Sequence, residues 1–340
     1  MALLKTVLRI ALTASVGIGL VGVSLLFYQG KSLFYQEKSR QDDVTFDLTP
    51  SGKSIIFNAA GTGGNALYTL DLLTLKVHDL THSPVLENAP TFSPDSRRIV
   101  YAAAPTGSQS TRLYTYSLAD KTRKQLTDNT AVYDDMASFS ADGTQIVFAR
   151  ASLHRPYSMG GWTWDHWDIY AMRSDGTGLH RLTSQQYYTV FHPRFAPNSK
   201  AIVYSAISGG VGAGALATDI FQVGLTGKGL PKPLTSNGHN SAPVFTPDGN
   251  HIVYICDATT PYDYEIWSMG HDGTHPVQLT SEHSYLLNPV VMPDGKHILA
   301  FADKDRAIRY DLYEFDIDGT HPRRLADSTL FDNPLHWKPK

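Results

Sequence analysis

Ala89-Pro90-Thr91-Phe92-Ser93-Pro94-Asp95, then Arg98-Ile99-Val100-Tyr101, then Leu113-Tyr114-Thr115-Tyr116, then Lys124-Gln125-Leu126-Thr127 make one unit of a pattern that runs through most of this chain. The following copy reads Ala137-Ser138-Phe139-Ser140-Ala141-Asp142-Gly143, Ile146-Val147-Phe148, Asp168-Ile169-Tyr170-Ala171-Met172 and Arg181-Leu182-Thr183. Further copies start at Pro193-Arg194-Phe195, Pro243-Val244-Phe245 and Pro289-Val290-Val291, and a more degenerate one comes first, at Leu48-Thr49-Pro50-Ser51-Gly52. With Leu48, Phe92, Phe139, Phe195, Phe245 and Val291 as markers, the spacings are 44, 47, 56, 50 and 46 residues. Short apolar runs rich in Tyr, Val and Ile, separated by turn residues, read as strands. A period of about 40–50 residues with four such strands is the signature of a propeller blade. The expected fold is therefore all-β, a six-bladed β-propeller over residues 44–340.

The turn chemistry agrees. Pro-Asp-Gly and Ser-Gly supply the bend between the first two strands of a unit, and Asp-Gly-Thr at Asp175, Asp272 and Asp318 does so between the third and fourth. Asp316-Ile317-Asp318-Gly319 has an acidic spacing reminiscent of calcium ligation, but the rest of a calcium loop is missing and a hairpin turn accounts for it. A last fragment, Asn333-Pro334-Leu335-His336-Trp337-Lys338-Pro339, resembles a first strand alone and is expected to complete or cap the blade begun near Val44.

Ahead of the repeats, Ile10 to Tyr28 carries no charge. That length, at about 1.5 Å per residue, matches a hydrocarbon core of about 30 Å. Lys5 and Arg9 precede the run and favour a cytoplasmic N-terminus. Residues 1–29 are thus expected to form an N-terminal transmembrane helix, an uncleaved anchor or else a signal segment. Residues 30–43 form a polar tether, and the propeller lies on the extracytoplasmic, periplasmic side. The 29 basic and 32 acidic residues give a net charge of −3 without a basic stripe, which points away from nucleic acid. One cysteine, Cys256, excludes an intramolecular disulfide and reads as a buried thiol in a core strand.

The units, most clearly Asp168-Ile169-Tyr170-Ala171-Met172-Arg173-Ser174-Asp175-Gly176-Thr177-Gly178-Leu179-His180-Arg181-Leu182-Thr183, resemble the TolB-like propeller repeat. That repeat is also found in the propellers of prolyl oligopeptidase relatives and tricorn-type proteases. The resemblance covers nearly everything after residue 44. It implies a binding propeller, without the α/β domain that precedes the propeller in TolB itself. The peptidase relatives' chemistry is not implied, since no Gly-x-Ser-x-Gly elbow occurs in the sequence.

In an up-and-down blade the first-to-second and third-to-fourth turns share one face, and the second-to-third loops and interblade connections share the other. The first set is short here and the second is long, so the functional residues are expected on the loop-rich face. Asn88, Asp135, His192, Asn240 and Asn288 precede the innermost strands and are expected around the channel mouth. They read either as strand and turn caps or as a polar ligand site. The segment Leu153–Trp167 reads as a long loop that brings Arg155, Trp162, Trp164 and His166 to that face. Its tryptophans serve as packing or as stacking surfaces for a sugar or a protein. The small residues Gly209–Ala215 lie in the facing loop.

Two functions follow. One is a membrane-anchored scaffold that binds a protein or glycan partner and needs no cofactor. The other comes from resemblance to oligogalacturonate lyases, a metal-dependent chemistry for which His166, His192, His239 and His283 supply imidazoles and Arg155 the basic group.

Overall fold

In Arg98–Ala103, Ile99, Tyr101 and Ala103 pack to one side while Val100 and Ala102 pack to the other, and all five are buried. This is the period-2 pattern of a strand covered on both faces. It recurs in every unit, and the computed structural model of the chain shows why. The structure describes residues 25–28, 31–34, 45–60, 65–105, 107–108, 110–156, 162–208, 217–257, 263–304 and 310–338.

Leu25–Tyr28 (β1) and Lys31–Phe34 (β2) pair as an antiparallel hairpin. Six four-stranded antiparallel sheets then follow in chain order. The first blade is β3 (Phe46–Leu48), β4 (Ser54–Ala60), β5 (Asn65–Asp71) and β6 (Val77–Asp79), and the second is β7 (Glu87–Phe92), β8 (Arg98–Ala103), β9 (Arg112–Ser117) and β10 (Arg123–Gln125). The third is β11 (Tyr133–Phe139), β12 (Gln145–Pro156), β13 (Trp162–Arg173) and β14 (His180–Arg181), and the fourth is β15 (Thr189–Phe195), β16 (Ala201–Ile207), β17 (Thr218–Gly224) and β18 (Lys232–Pro233). The fifth is β19 (Asn240–Phe245), β20 (His251–Cys256), β21 (Glu265–Gly270) and β22 (Val277–Gln278), and the sixth is β23 (Tyr285–Val291), β24 (His297–Asp303), β25 (Asp311–Asp316) and β26 (Arg323–Ala326).

The innermost strands touch in the order β3, β7, β11, β15, β19, β23 and back to β3, which closes a six-bladed ring. The apolar core is divided among the six interblade seams. Polar bonds hold each blade to the next connection. In the third and fourth blades an acid of the third strand accepts the hydroxyl of a Thr two residues past the fourth strand: Thr183 Oγ1 donates to Asp168 at 2.7 Å, and Thr235 Oγ1 to Asp219 at 2.8 Å. The same acids take a backbone N–H from the connection that follows, Gln185 N on Asp168 and Gly238 N on Asp219. Each such bond satisfies a carboxylate, buried at Asp168 and half-buried at Asp219, and fixes where the next inner strand begins.

Of the two expected roles for the last fragment, completing the first blade or capping it, the structure shows the cap. Residues 333–338 do not add a strand to the first blade. Instead Thr329–Asp332 forms one helical turn (α1), and Pro334–His336 a 3-10 turn. Phe331 of α1 sits edge-on between Phe57 of the first blade, at 5.2 Å, and Phe301 of the sixth, at 5.0 Å. Trp337 donates its indole N–H to Asp327 Oδ1 at 3.2 Å and packs on the same seam. Pro334 at the start of the 3-10 turn has no N–H for a sheet ladder, so the segment caps rather than pairs.

The expected transmembrane helix falls mostly on residues 1–24, outside the described residues. Its last four residues lie in β1, a strand and not a helix. Among the described residues no helix is long and apolar enough to cross a membrane. The tether residues 35–43 also lie outside the described residues.

Candidate functional site

The inner strands are not regular. Five of them carry a bulge, and the residue at its centre has a left-handed backbone: Ala89 (φ 48°), Met136 (φ 53°), His192 (φ 51°), Ala242 (φ 50°) and Asn288 (φ 51°). Proline follows in four of the five, at 90, 193, 243 and 289. Proline is tolerated in a strand at a bulge, where the ladder has no use for its missing N–H. Left-handed backbone at non-glycine residues costs free energy, and it recurs here at one level around the axis.

The bulge sets two rings of side chains along the channel. The ring nearer the loop-rich mouth is Thr45, Ala89, Met136, His192, Ala242 and Asn288. Two residues further along each strand come Asp47, Thr91, Ser138, Arg194, Val244 and Val290. Most of these line one cavity of about 60 Å³ on the axis. A buried water needs about 10–15 Å³ of such space, so the cavity has room for several waters or one side-chain tip.

Neighbouring blades are stitched along these rings. Ala89 N donates to Thr45 Oγ1 at 3.0 Å and His192 N to Met136 Sδ at 3.4 Å. Phe92 N donates to Asp47 Oδ2 at 2.9 Å, Thr91 Oγ1 to the Ala137 carbonyl at 2.9 Å and Ser138 Oγ to the Pro193 carbonyl at 2.8 Å.

The channel is polar on opposite sides. Asp47 belongs to the first blade and Arg194 to the fourth, across the axis. Burial pushes the Asp47 carboxyl above its ordinary pKa, against the pull of Arg194 and of the Phe92 and Leu48 N–H groups. The Arg194 side chain makes no hydrogen bond or ion pair among the described residues and acts on Asp47 at longer range. Burial, helped by the nearby Arg194 charge and opposed by Asn288, pushes the His192 imidazole down to about 3, so it is neutral at pH 7. His192 Nδ1 and Asn88 Oδ1 are buried without a hydrogen-bond partner. Such atoms are rare in folded proteins and mark a place for water or ligand.

The expected mouth residues occupy three different registers. His192 and Asn288 lie on the bulge ring and line the cavity. Asn88 and Asp135 sit one residue earlier and pair across two blades, Asn88 Nδ2 donating to Asp135 Oδ2 at 3.1 Å. Asn240 sits two residues before its bulge and turns outward, with Nδ2 on Asp219 Oδ1 at 3.1 Å and on Asn237.

The tryptophan segment is a β-ribbon rather than a loop. β12 and β13 continue in register past the blade as far as Pro156 opposite Trp162. His154 stacks on Trp164 at 4.5 Å and lies 5.0 Å from Trp162, and Tyr133 packs on Trp164 and Trp167. Arg155 is fixed by Asp165, with Nε 2.7 Å from Oδ2. His166 is left-handed (φ 57°), and its N–H donates to Asp165 Oδ1 at 2.7 Å. Trp162, at the end of the ribbon, is 55% exposed. The ribbon tip at 157–161 and the glycine-rich segment 209–215 lie outside the described residues.

His166, His192, His239 and His283 are not brought together. His239 pairs with Asp257 at 2.8 Å and His283 with Asp263 at 3.2 Å at separate interblade connections, while His192 is inside the channel. Among the described residues no three His, Cys, Asp or Glu side chains are placed to hold a metal. Asp47 and Arg194 escaped the sequence reading. Each stands just before its unit's marker residue, Leu48 or Phe195, and aligning the repeats on that offset puts both in the channel.

The family model described as the TolB beta propeller domain matches residues 23–212. The Tol-Pal system protein TolB of Francisella tularensis subsp. holarctica (strain OSU18) is 27% identical over 219 residues, 63% of this chain and 46% of that protein. The chain thus spans about half the length of the curated relatives it matches. Among solved structures, TolB from Acinetobacter baumannii superposes with a TM-score of 0.65 at 19% identity, over 83% of this chain and 65% of that one. Oligogalacturonate lyase from Vibrio parahaemolyticus gives 0.58 at 14% identity, over 82% and 76%. At these identities the superpositions speak for the fold alone. The family match extends over more than half of the 340 residues, and the chain belongs to the TolB beta propeller family.

Proposed function

We propose that this protein is a binding scaffold whose loop-rich face receives a protein partner at the channel mouth. The observation that carries the reading is the polar chemistry left unmet among the described residues: an Arg194 guanidinium without a hydrogen bond, a neutral His192 with a free Nδ1, and Asn88 Oδ1 unpartnered, around a cavity sized for a side-chain tip. A partner projection entering the mouth satisfies these groups, and the gain is large because they are already out of bulk water. Trp162 and the stacked His154 stand beside the mouth as an aromatic anchor of the kind that dominates interfaces. Relatives named as Tol-Pal system proteins favour a protein over a glycan as the occupant. The loop-rich side of Asn88, Asp135, His192, Asn240, Asn288, Arg155, Trp162, Trp164 and His166 is the binding side in this reading.

The same reading keeps residues 1–29 as a membrane anchor, 30–43 as a tether and 44–340 as the propeller on the extracytoplasmic side, on the strength of the uncharged run and the preceding Lys5 and Arg9. Isolation of the full chain from its native envelope tests the face. Trp162→Ala and Arg194→Gln are expected to lose a partner retained by the unaltered chain, with unchanged melting behaviour. Equal retention by both variants refutes the assignment.

A further inference from the structure

Carboxylates on the loop-rich side find their partners within the chain. Asp135 Oδ1 accepts Met136 N at 2.7 Å, and Asn88 Nδ2 donates to both Asp135 oxygens. Asp134 holds Arg150, and Asp165 holds Arg155 and the His166 N–H. Asp219 takes Thr235 Oγ1, Gly238 N and Asn240 Nδ2. Inside the channel Asp47 Oδ2 accepts Phe92 N at 2.9 Å, with a further backbone N–H from Leu48, and burial moves this carboxyl toward its neutral form.

Arg194 is different. It lines the same cavity as Asp47, yet its side chain makes no hydrogen bond or ion pair among the described residues. A guanidinium stays charged at any pH a cell meets, so Arg194 has no way to shed its charge as Asp47 does. It carries five N–H donors in a fixed fork. On the ring nearer the mouth, His192 Nδ1 is buried without a partner. Ala89 and Ala242 add only a methyl group each to that ring, so a slender group can pass.

We infer that the channel is a carboxylate site, in which Arg194 receives the acidic side chain of a docked partner and His192 Nδ1 adds a donor when it carries the ring proton. The inference rests on the channel-mouth reading above and names the chemistry of the group that enters. A carboxylate meets the guanidinium fork with two oxygens, and the pairing gains strength in a space already withdrawn from bulk water. A neutral amide offers the fork one oxygen and no charge. A cation fits less well. Asp47 is already engaged by two backbone N–H groups, and among the described residues no three His, Cys, Asp or Glu side chains are placed to hold a metal. An incoming ammonium would also share the cavity with an unpaired guanidinium.

Melting of the full chain is followed in N-acetylglutamate α-amide and in its neutral isostere, N-acetylglutamine amide, at one ionic strength. The concentration dependence of the shift gives each dissociation constant. The glutamate probe is expected to bind roughly tenfold more tightly than the glutamine probe. Arg194→Gln should erase that preference, and Arg194→Lys, which keeps the charge but not the fork, should retain part of it. Asp47→Asn still offers an oxygen to Phe92 N, and should tighten the glutamate probe by withdrawing an opposing charge; a cation site would weaken instead. Equal binding of the two probes, or a preference that survives Arg194→Gln in a chain that melts cooperatively, overturns the inference. A photo-crosslinker at position 162 then reads the source of the carboxylate. A protein adduct displaced by the glutamate probe is expected and assigns it to the partner, whereas probe binding without any adduct overturns the partner as its source. An adduct that depends on Arg194, with no preference between the probes, overturns the carboxylate site and leaves the channel-mouth reading standing.

Discussion

Replacing Phe331 with Ala should open the seam that closes the ring. Among the described residues no strand is shared between the first and sixth blades, and side-chain packing joins them at this seam. Phe331 is 2% exposed and makes edge-to-face contacts with Phe57 at 5.2 Å and Phe301 at 5.0 Å. Truncating a buried Phe to Ala costs about 3–5 kcal/mol, of which the two aromatic pairs supply about 0.5–1.5 kcal/mol each. With a urea m-value on the order of 3 kcal/mol/M for a ring of this size, the midpoint should fall by about 1 M or more. Phe331→Leu retains most of the volume and should lose less than half as much. In a double-mutant cycle with Phe57→Ala, the two losses should fall short of additivity by about 1 kcal/mol, because the partners touch. Urea unfolding followed by tryptophan fluorescence reads all four proteins. A midpoint shift below about 0.3 M for Phe331→Ala refutes the closure by α1.

Three further outcomes follow from single sites. Arg150 and Asp134 form a buried ion pair, Nε to Oδ1 at 2.5 Å, so Arg150→Ala should cost about 3–5 kcal/mol by stranding the carboxylate, whereas Arg150→Met with Asp134→Leu should cost far less; equal midpoints for the two variants contradict this. His192 has its folded pKa pushed to about 3, below its unfolded value of 6.5, so its unfolded form binds the extra proton and stability falls as pH drops from about 6.5 toward 3, by roughly 1 kcal/mol per pH unit. The Asp47 carboxyl is shifted up by burial and works in the opposite sense, its contribution falling as pH rises, so the His192 effect is read as the difference between the unaltered chain and His192→Asn across pH 7 to 4; parallel curves refute it. Trp162→Ala should leave the unfolding free energy from urea titration within about 0.5 kcal/mol of the unaltered chain, since the side chain is more than half exposed; a larger loss makes it a packing residue instead of an anchor.

The fold was legible because a blade must repeat its apolar alternation and its turn chemistry, and both survive in sequence even where identities drift. Phe92, Phe139 and Phe245 mark equivalent strand ends, and Asp168, Asp219 and Glu265 mark equivalent third strands. Three features were less readable. The bulge shifts register by one residue, so counting back from a strand gives Asn88 and Asp135 instead of the channel-lining Ala89 and Met136, and Asn240 falls two residues short of Ala242. The proline after four of the bulges is the local signal for that shift. The Leu153–Trp167 segment looks like a loop because its polar and aromatic residues alternate outside the blade, where no core fixes the period. The terminal helix α1 is a single turn, too short for periodicity to reveal, and its role comes from the seam it fills.

The most direct measurement places a photo-crosslinking residue at Trp162, on the loop-rich side, and at Gln125, on the exposed outer strand β10, in the full chain within its own cells. A discrete protein adduct from position 162, absent at 125 and abolished by Arg194→Gln in a chain that still folds, is the expected result. Adducts of equal yield at both positions, or an adduct at 162 that survives the loss of Arg194 and His192, contradict a partner held at the channel mouth.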